Sequence, residues 1–150
     1  MKVFFLYILL LLMVINCHKD TTGINVSEYQ INFSTNKSLY TKSDTIEAKL
    51  TNNSDVNIIF ETRSGYIVMY YQKRENYGWS KNLYFYFSSL RGPSISDTLK
   101  PNCSFTQTMR GDDFNSAGIL RLVIDCIGIQ DLTREINDCK IIYSNYFKVE

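Results

Sequence analysis

The chain has 150 residues, 16 Lys+Arg against 15 Asp+Glu and a formal net charge of +1. With no basic block, no acidic tail and no polybasic patch, this balance argues against a nucleic-acid-binding protein and against membrane attachment by charge. The length suits one domain around a single core, and a surplus of aromatic and β-branched residues with only 7 Gly and 2 Pro favours strands over helices.

The first element is an export signal. Lys2 precedes an unbroken apolar run, Val3 to Ile15, of 13 residues. A bilayer-spanning helix needs roughly 20, and the charge-then-apolar order is that of a signal peptide. Val14 and Asn16 do not fit ordinary signal peptidase, which wants small residues before the cut. A cysteine closing the run, Cys17, instead resembles a bacterial lipoprotein signal, in which the thiol takes a diacylglycerol and becomes the mature N-terminus. The expected organisation is a signal peptide at 1–16, a lipid-anchored tether at 17–27 and a folded domain at 28–150. Without Lys2, the mature chain carries 15 basic and 15 acidic residues. Several acyl chains on one cysteine anchor stably. The expected location is the cell envelope, lipid-anchored at the outer membrane on its periplasmic or surface face.

Strand signals follow at the spacing of a sandwich or barrel. Tyr29–Ser34 alternates, with Tyr29, Ile31 and Phe33 on one face. Asp44–Thr51 alternates with Ile46, Ala48 and Leu50 inward, and Thr51-Asn52-Asn53-Ser54 breaks it as a turn. Asn57–Thr62 is next. Gly65–Lys73 is apolar on both faces, as in a central strand, and Arg74–Gly78 is a hairpin loop. Trp79–Ser88 sets Leu83, Phe85 and Phe87 against Tyr84 and Tyr86. Leu99–Arg110 follows Gly92-Pro93. Gly118–Ile127 and Lys140–Val149 close the domain. The best helix candidate, Gln130–Asp138, makes a turn or two at most. The expected fold class is all-β, an antiparallel immunoglobulin-like sandwich of about seven to nine strands.

With Cys17 assigned to lipid, Cys103, Cys126 and Cys139 remain, and an oxidising compartment favours one disulfide and one spare thiol. Leu120, Leu122, Ile124 and Cys126 share a face, as do Cys139, Ile141, Tyr143, Asn145 and Phe147. Pairing Cys126 with Cys139 sets Ile124 opposite Ile141 and Leu122 opposite Tyr143, with both apolar sets on one side. That favours a Cys126–Cys139 disulfide, while spacing leaves Cys103–Cys126 and Cys103–Cys139 open.

Several segments, in order, carry a resemblance. They are Ala48-Lys49-Leu50-Thr51-Asn52-Asn53-Ser54, Tyr70-Tyr71-Gln72-Lys73 running to Gly78-Trp79, Leu99-Lys100-Pro101-Asn102, Gly118-Ile119-Leu120-Arg121-Leu122, and Ser144-Asn145-Tyr146-Phe147-Lys148-Val149. Together they resemble the small immunoglobulin-like domains of uncharacterised Bacteroidota lipoproteins, and more loosely the bacterial intracellular proteinase-inhibitor domain. Asn102 departs from the pattern, where Gly is commoner. The resemblance implies a fold and a compartment, and no reaction.

Residue chemistry points away from catalysis. The single histidine, His18, falls in the tether, which leaves Ser–His and Cys–His nucleophiles without a base. Asp112-Asp113 reads as a solvated loop pair. Asp125, Asp131, Glu135 and Asp138 fit no known calcium loop, and one histidine with scattered cysteines makes zinc less favoured still. No cofactor or metal is expected. Arg110-Gly111-Asp112 spells an integrin tripeptide, a common chance occurrence. Asp20-Thr21-Thr22, Asp44-Thr45-Ile46 and Asp97-Thr98-Leu99 resemble Bacteroidota O-glycosylation sites, while Asn-x-Ser patterns keep a eukaryotic secreted protein open as an alternative.

The candidate binding surface is Tyr77, Trp79, Tyr84 and Tyr86, aromatic side chains on which a sugar or a protein stacks. The bland alternative is that tyrosine simply suits an exposed sheet face. The expected function is a non-enzymatic, lipid-anchored binding module whose partner is a protein or glycan. The alternatives are a proteinase inhibitor working through loops Arg74–Gly78 or Arg110–Ser116, and a glycan-binding accessory lipoprotein.

Overall fold

The computed structural model describes residues 30–85, 92–131 and 134–150. The signal segment, Cys17, His18 and the tether lie outside them. In chain order the strands are β1 (Ile31–Thr35), β2 (Leu39–Tyr40), β3 (Thr45–Asn52), β4 (Asn57–Arg63), β5 (Tyr66–Ile67), β6 (Tyr70–Glu75), β7 (Gly78–Trp79) and β8 (Leu83–Tyr84). There follow β9 (Ile95–Leu99), β10 (Ser104–Arg110), β11 (Gly118–Asp131), β12 (Arg134–Tyr143) and β13 (Phe147–Val149). A three-stranded sheet runs β1-β3-β10, and the other ten segments form a second sheet built on β11. All pairs are antiparallel except the short β13–β2 contact. The fold is an all-β sandwich, and several of its segments are pieces of one interrupted path.

Period-two alternation explains the core. Ile46, Ala48 and Leu50 point inward from β3 and are fully buried, with Phe33 beside them on β1. They meet Ile58, Phe60, Tyr71, Leu120, Leu122, Ile124 and Phe147 from the second sheet. Polar side chains also cross between the layers, among them Gln107, whose side-chain carbonyl accepts the Ile67 amide at 2.6 Å.

Several sequence expectations are corrected. Leu99–Arg110 is not one strand. β9 pairs with β4 in one sheet and β10 with β3 in the other. The chain changes sheets at Lys100–Cys103, where Asn102 takes a φ of +59°, a left-handed conformation that asparagine tolerates better than most residues. Gly65–Lys73 is likewise interrupted at Val68-Met69, leaving β5 on β4 and β6 on β11. Gln130–Asp138 is not a helical turn, because its described residues extend the strands of the β11–β12 hairpin.

The largest correction is the register of that hairpin. At its far end Ile129 faces Ile136, but Ile127 faces Lys140 and Ile124 faces Ile142. Irregularities between Ile124 and Ile129 slip the pairing by one residue towards the base. A one-residue slip exchanges faces. Ile142 therefore lies in the core, while Ile141 and Tyr143 point outward. Ile127 also takes the inward place that simple alternation gives to Cys126. Cys126 and Cys139 are joined in a disulfide with Cα atoms 4.6 Å apart, and Cys103 is an exposed free thiol.

The Thr41–Asp44 turn is held by its own carboxylate. The Thr41 amide donates to Asp44 Oδ2 at 2.6 Å, and the Asp44 amide returns to the Thr41 carbonyl at 3.1 Å. The hydrogen bond from the Thr41 amide to the carboxylate, with a second from the Thr41 side chain, lowers the Asp44 pKa below its ordinary 3.8. A depressed folded-state pKa contributes stability above the unfolded value, and this is lost as pH falls through the folded one. Urea midpoints are therefore expected to fall between about pH 5 and about pH 3, and Asp44→Asn to flatten that acid limb. An unchanged acid limb in the variant would count against this account.

Candidate functional site

The outer face of the ten-stranded sheet carries a cluster of aromatic and cationic side chains. β6 and β7 form a tight hairpin in which Arg74 faces Trp79 and Glu75 faces Gly78. Gly78 sits at φ +147°, which side-chain-bearing residues rarely adopt. The pairing sets the indole beside β11. There Arg121, between the buried Leu120 and Leu122, has to point outward.

Arg121 is the centre of the cluster. Its guanidinium carbon lies 4.2 Å from the Trp79 ring centroid and 3.9 Å from that of Tyr143. Nε and Nη2 both donate to Gln72 Oε1, at 2.9 and 2.6 Å. Gln72, cross-strand from Arg121 on β6, donates its own amide to Asn82 Oδ1 at 2.8 Å. Tyr146 packs against the far side of this group, its ring 5.2 Å from Trp79, and Arg74 approaches the same indole at 5.5 Å. Each such cation–ring contact stabilises by about 0.5–1 kcal/mol at an exposed site. Gln72 holds the guanidinium in its plane and the rings hold it from its faces, so Arg121 is oriented in advance.

Two breaks in regular structure build this face. The slip in the β11–β12 hairpin turns Tyr143 outward. Between β12 and β13, Ser144 replaces a ladder partner: its hydroxyl accepts the Leu122 amide at 2.9 Å and donates to the Asn145 carbonyl at 2.7 Å. Asn145 caps the edge of the other sheet by accepting the Thr35 amide at 2.7 Å. The chain so pinned leaves Tyr146 60% exposed beside the indole.

Of the residues singled out from sequence, Trp79 enters the cluster. Tyr84 is on the same face but further along β6, opposite Tyr70, whose ring it meets edge-on at 5.2 Å. Burial and the nearby Asp125 carboxylate raise the Tyr70 pKa, so that phenol stays neutral and polar at the floor of the face. Tyr77 stands fully exposed at the hairpin tip and touches none of the others. Tyr86 lies outside the described residues. No ring contact joins Tyr77, Trp79 and Tyr84 to one another. The cluster also includes Arg121, Tyr143, Tyr146, Gln72 and Arg74, of which the sequence set only Arg74 in a candidate contact loop and none in the aromatic surface. Only the parity of Arg121 between two leucines was available as a signal.

The other candidates are structural. Asp113 Oδ2 accepts the Arg110 amide at 2.7 Å and Asp112 Oδ1 accepts Arg110 Nε at 3.0 Å, so both carboxylates fold a single 3-10 turn. Gly111 is buried in that turn and Phe114 is buried just after it. Loop 110–116 thus lies against the body of the fold. Among the described residues no group of three or more His, Cys, Asp or Glu is placed to hold a metal ion, and no helix is long and apolar enough to cross a membrane. Compared with protein-family models and with curated proteins, the chain matches none of them.

Proposed function

We propose that this chain is a non-enzymatic binding module of the cell envelope, anchored through lipidated Cys17, that meets its partner with the outer face of the ten-stranded sheet. The observation that carries the reading is Arg121, fixed by Gln72 between Trp79 and Tyr143 on an open face, with no carboxylate partner among the described residues. Tyr, Trp and Arg are the side chains that dominate interface energetics. Burial of their surroundings by a partner would strengthen contacts that water now screens. The anchor is supported by the order Lys2, apolar run, Cys17, and the absence of enzymatic activity by the position of the one histidine outside the strand-forming region.

One experiment in cells tests both halves. A photo-reactive amino acid at Ile119, exposed on the proposed face, is expected to give an adduct. The same group at Lys49, on the outer face of the three-stranded sheet, is not. Cys17→Ala is expected to abolish palmitate labelling, release the protein from membranes and remove the adduct. Equal adducts at both positions, or none at either, overturn the contact surface. Palmitate labelling that survives in Cys17→Ala overturns the anchor.

A further inference from the structure

We infer that the partner of this face is a carboxylate-bearing polysaccharide, a polyuronate chain, whose acid groups meet Arg121 and whose sugar rings lie on the surrounding aromatic side chains. The inference rests on the reading of the outer face as the contact surface.

The first argument is charge. The ion pairs among the described residues are Arg110–Asp112 and Lys148–Glu150. Among the described residues, neither Arg74 nor Arg121 has one. The rings of Trp79 and Tyr143 attract the guanidinium without neutralising it. Arg121 spends Nε–H and one Nη2 hydrogen on Gln72, and no described residue accepts its remaining in-plane hydrogens. A guanidinium offered edge-on, with its plane already fixed, matches the two oxygens of a carboxylate. Little side-chain entropy is left to lose on binding.

The second argument is shape. Tyr143, Tyr146 and Tyr84 are 42%, 60% and 64% exposed, and such rings are apolar bodies with a polar tip. Between them runs the polar line Asn82–Gln72–Arg121. Apolar ring faces alternating with planar hydrogen-bonding groups suit a pyranose, which has C–H faces and hydroxyl edges. Trp79 and Tyr84 face Arg74 and Tyr70, four residues apart on β6, or about 13 Å along the strand. That is longer than one sugar ring, and an open sheet face admits a chain passing across it.

The third argument separates a glycan from an acidic peptide. Peptides that add to sheets do so at an edge, through backbone hydrogen bonds. On this face the backbone groups of β6 and β11 are already paired with each other, so only side chains are on offer.

The test is calorimetric titration of the full-length protein in detergent with an oligogalacturonate, a neutral galactan oligomer and polyglutamate. The expected result is salt-sensitive binding of the oligogalacturonate alone. Affinity should be weakened at least about tenfold by Trp79→Ala and by Arg121→Gln, and unchanged by Lys49→Ala. Arg121→Lys keeps the charge and the apolar stem but loses the planar fork, so it too should weaken binding while leaving the circular dichroism spectrum and urea midpoint near the wild type. Equal binding of the neutral chain, equal binding of polyglutamate, no binding of the oligogalacturonate, or full affinity in Arg121→Lys would each overturn the inference. An Ile119 adduct in cells from a protein with no oligogalacturonate affinity overturns the polyuronate alone, whereas absence of that adduct in the protein with Cys17 intact overturns the contact surface itself.

Discussion

Asn52→Leu is expected to remove about 4 kcal/mol of unfolding free energy, a large share of the 5–15 kcal/mol typical of a domain. Asn52 ends β3 on its inward face and is 0% exposed. Its side-chain amide donates to the carbonyls of Val56 and Leu99, at 2.8 and 3.0 Å. Its Oδ1 accepts the Ser54 amide at 3.1 Å and the Ser54 hydroxyl at 2.6 Å. One side chain thus satisfies four groups and ties the β3–β4 turn to the end of β9 in the facing sheet. Leucine fits the volume and leaves those groups without partners. An unsatisfied buried polar group costs about 1–3 kcal/mol, and the Ser54 hydroxyl can turn to recover part of the loss.

Asn52→Asp refines the prediction. It replaces the donor with an oxygen facing two carbonyl oxygens, so the new carboxyl has a folded-state pKa raised above the unfolded value. It is tolerated while protonated, and stability falls as pH rises through the normal carboxylate range. Asn53→Leu, one residue on and exposed, should stay within about 0.5 kcal/mol of wild type. Urea denaturation of the three variants decides the matter. Asn52→Leu within about 1 kcal/mol of wild type would remove this asparagine from any structural role.

The turn containing Asn52 was legible in the sequence, and so was its cause. Ile46, Ala48 and Leu50 mark the inner face by alternation, and the same parity carries Asn52 inward. The outward Tyr84 was legible for the same reason, but Trp79 shares the parity of the inward Leu83 and reaches the outer face because the strand breaks between β7 and β8. What could not be read were the places where alternation fails. The slip between Ile124 and Ile129 left one mark in the sequence, Gly128 within the strand, but Ile124 and Ile127 are equally good core residues, so the pattern does not say which of them keeps the inward parity. That single slip sends Tyr143 outward and creates half of the Arg121 sandwich. β9 was missed because Ser96, Asp97 and Thr98 carry no apolar pattern. It is an edge strand whose side chains are mostly exposed, and such strands hold by backbone pairing. The proposed contact face was hidden because it is assembled from β6, β7, β11 and the β12–β13 break, each contributing one or two side chains.

Gly111→Ala is expected to be as costly as Asn52→Leu, through backbone contact rather than hydrogen bonding. A Cβ at Gly111 would sit 2.2 Å from the Thr41 carbonyl oxygen and 2.9 Å from Lys42 Cα. Both are backbone atoms, so no side chain can swing away, and the two turns have to part. Parting them breaks the hydrogen bond from the Gly111 amide to the Asp44 carbonyl, now 3.0 Å. It also shifts Phe114, whose ring packs against Tyr71, Phe85 and Phe147 at 5.1, 5.0 and 5.6 Å. Overpacking alone costs about 1–3 kcal/mol, and loosening a buried aromatic adds to it, so the expected loss is about 4 kcal/mol. The same geometry disposes of the Arg110-Gly111-Asp112 tripeptide as a recognition element, since its glycine is buried and its two charges are turned on each other. Arg110→Ala should therefore change stability by less than about 1 kcal/mol, as exposed ion pairs do. Because the clash is with the Thr41–Asp44 turn, weakening that turn first with Asp44→Asn should make the two substitutions less than additive. Strict additivity would place the strain elsewhere. A Gly111→Ala protein with the wild-type urea midpoint would show that the turns are not in contact at all.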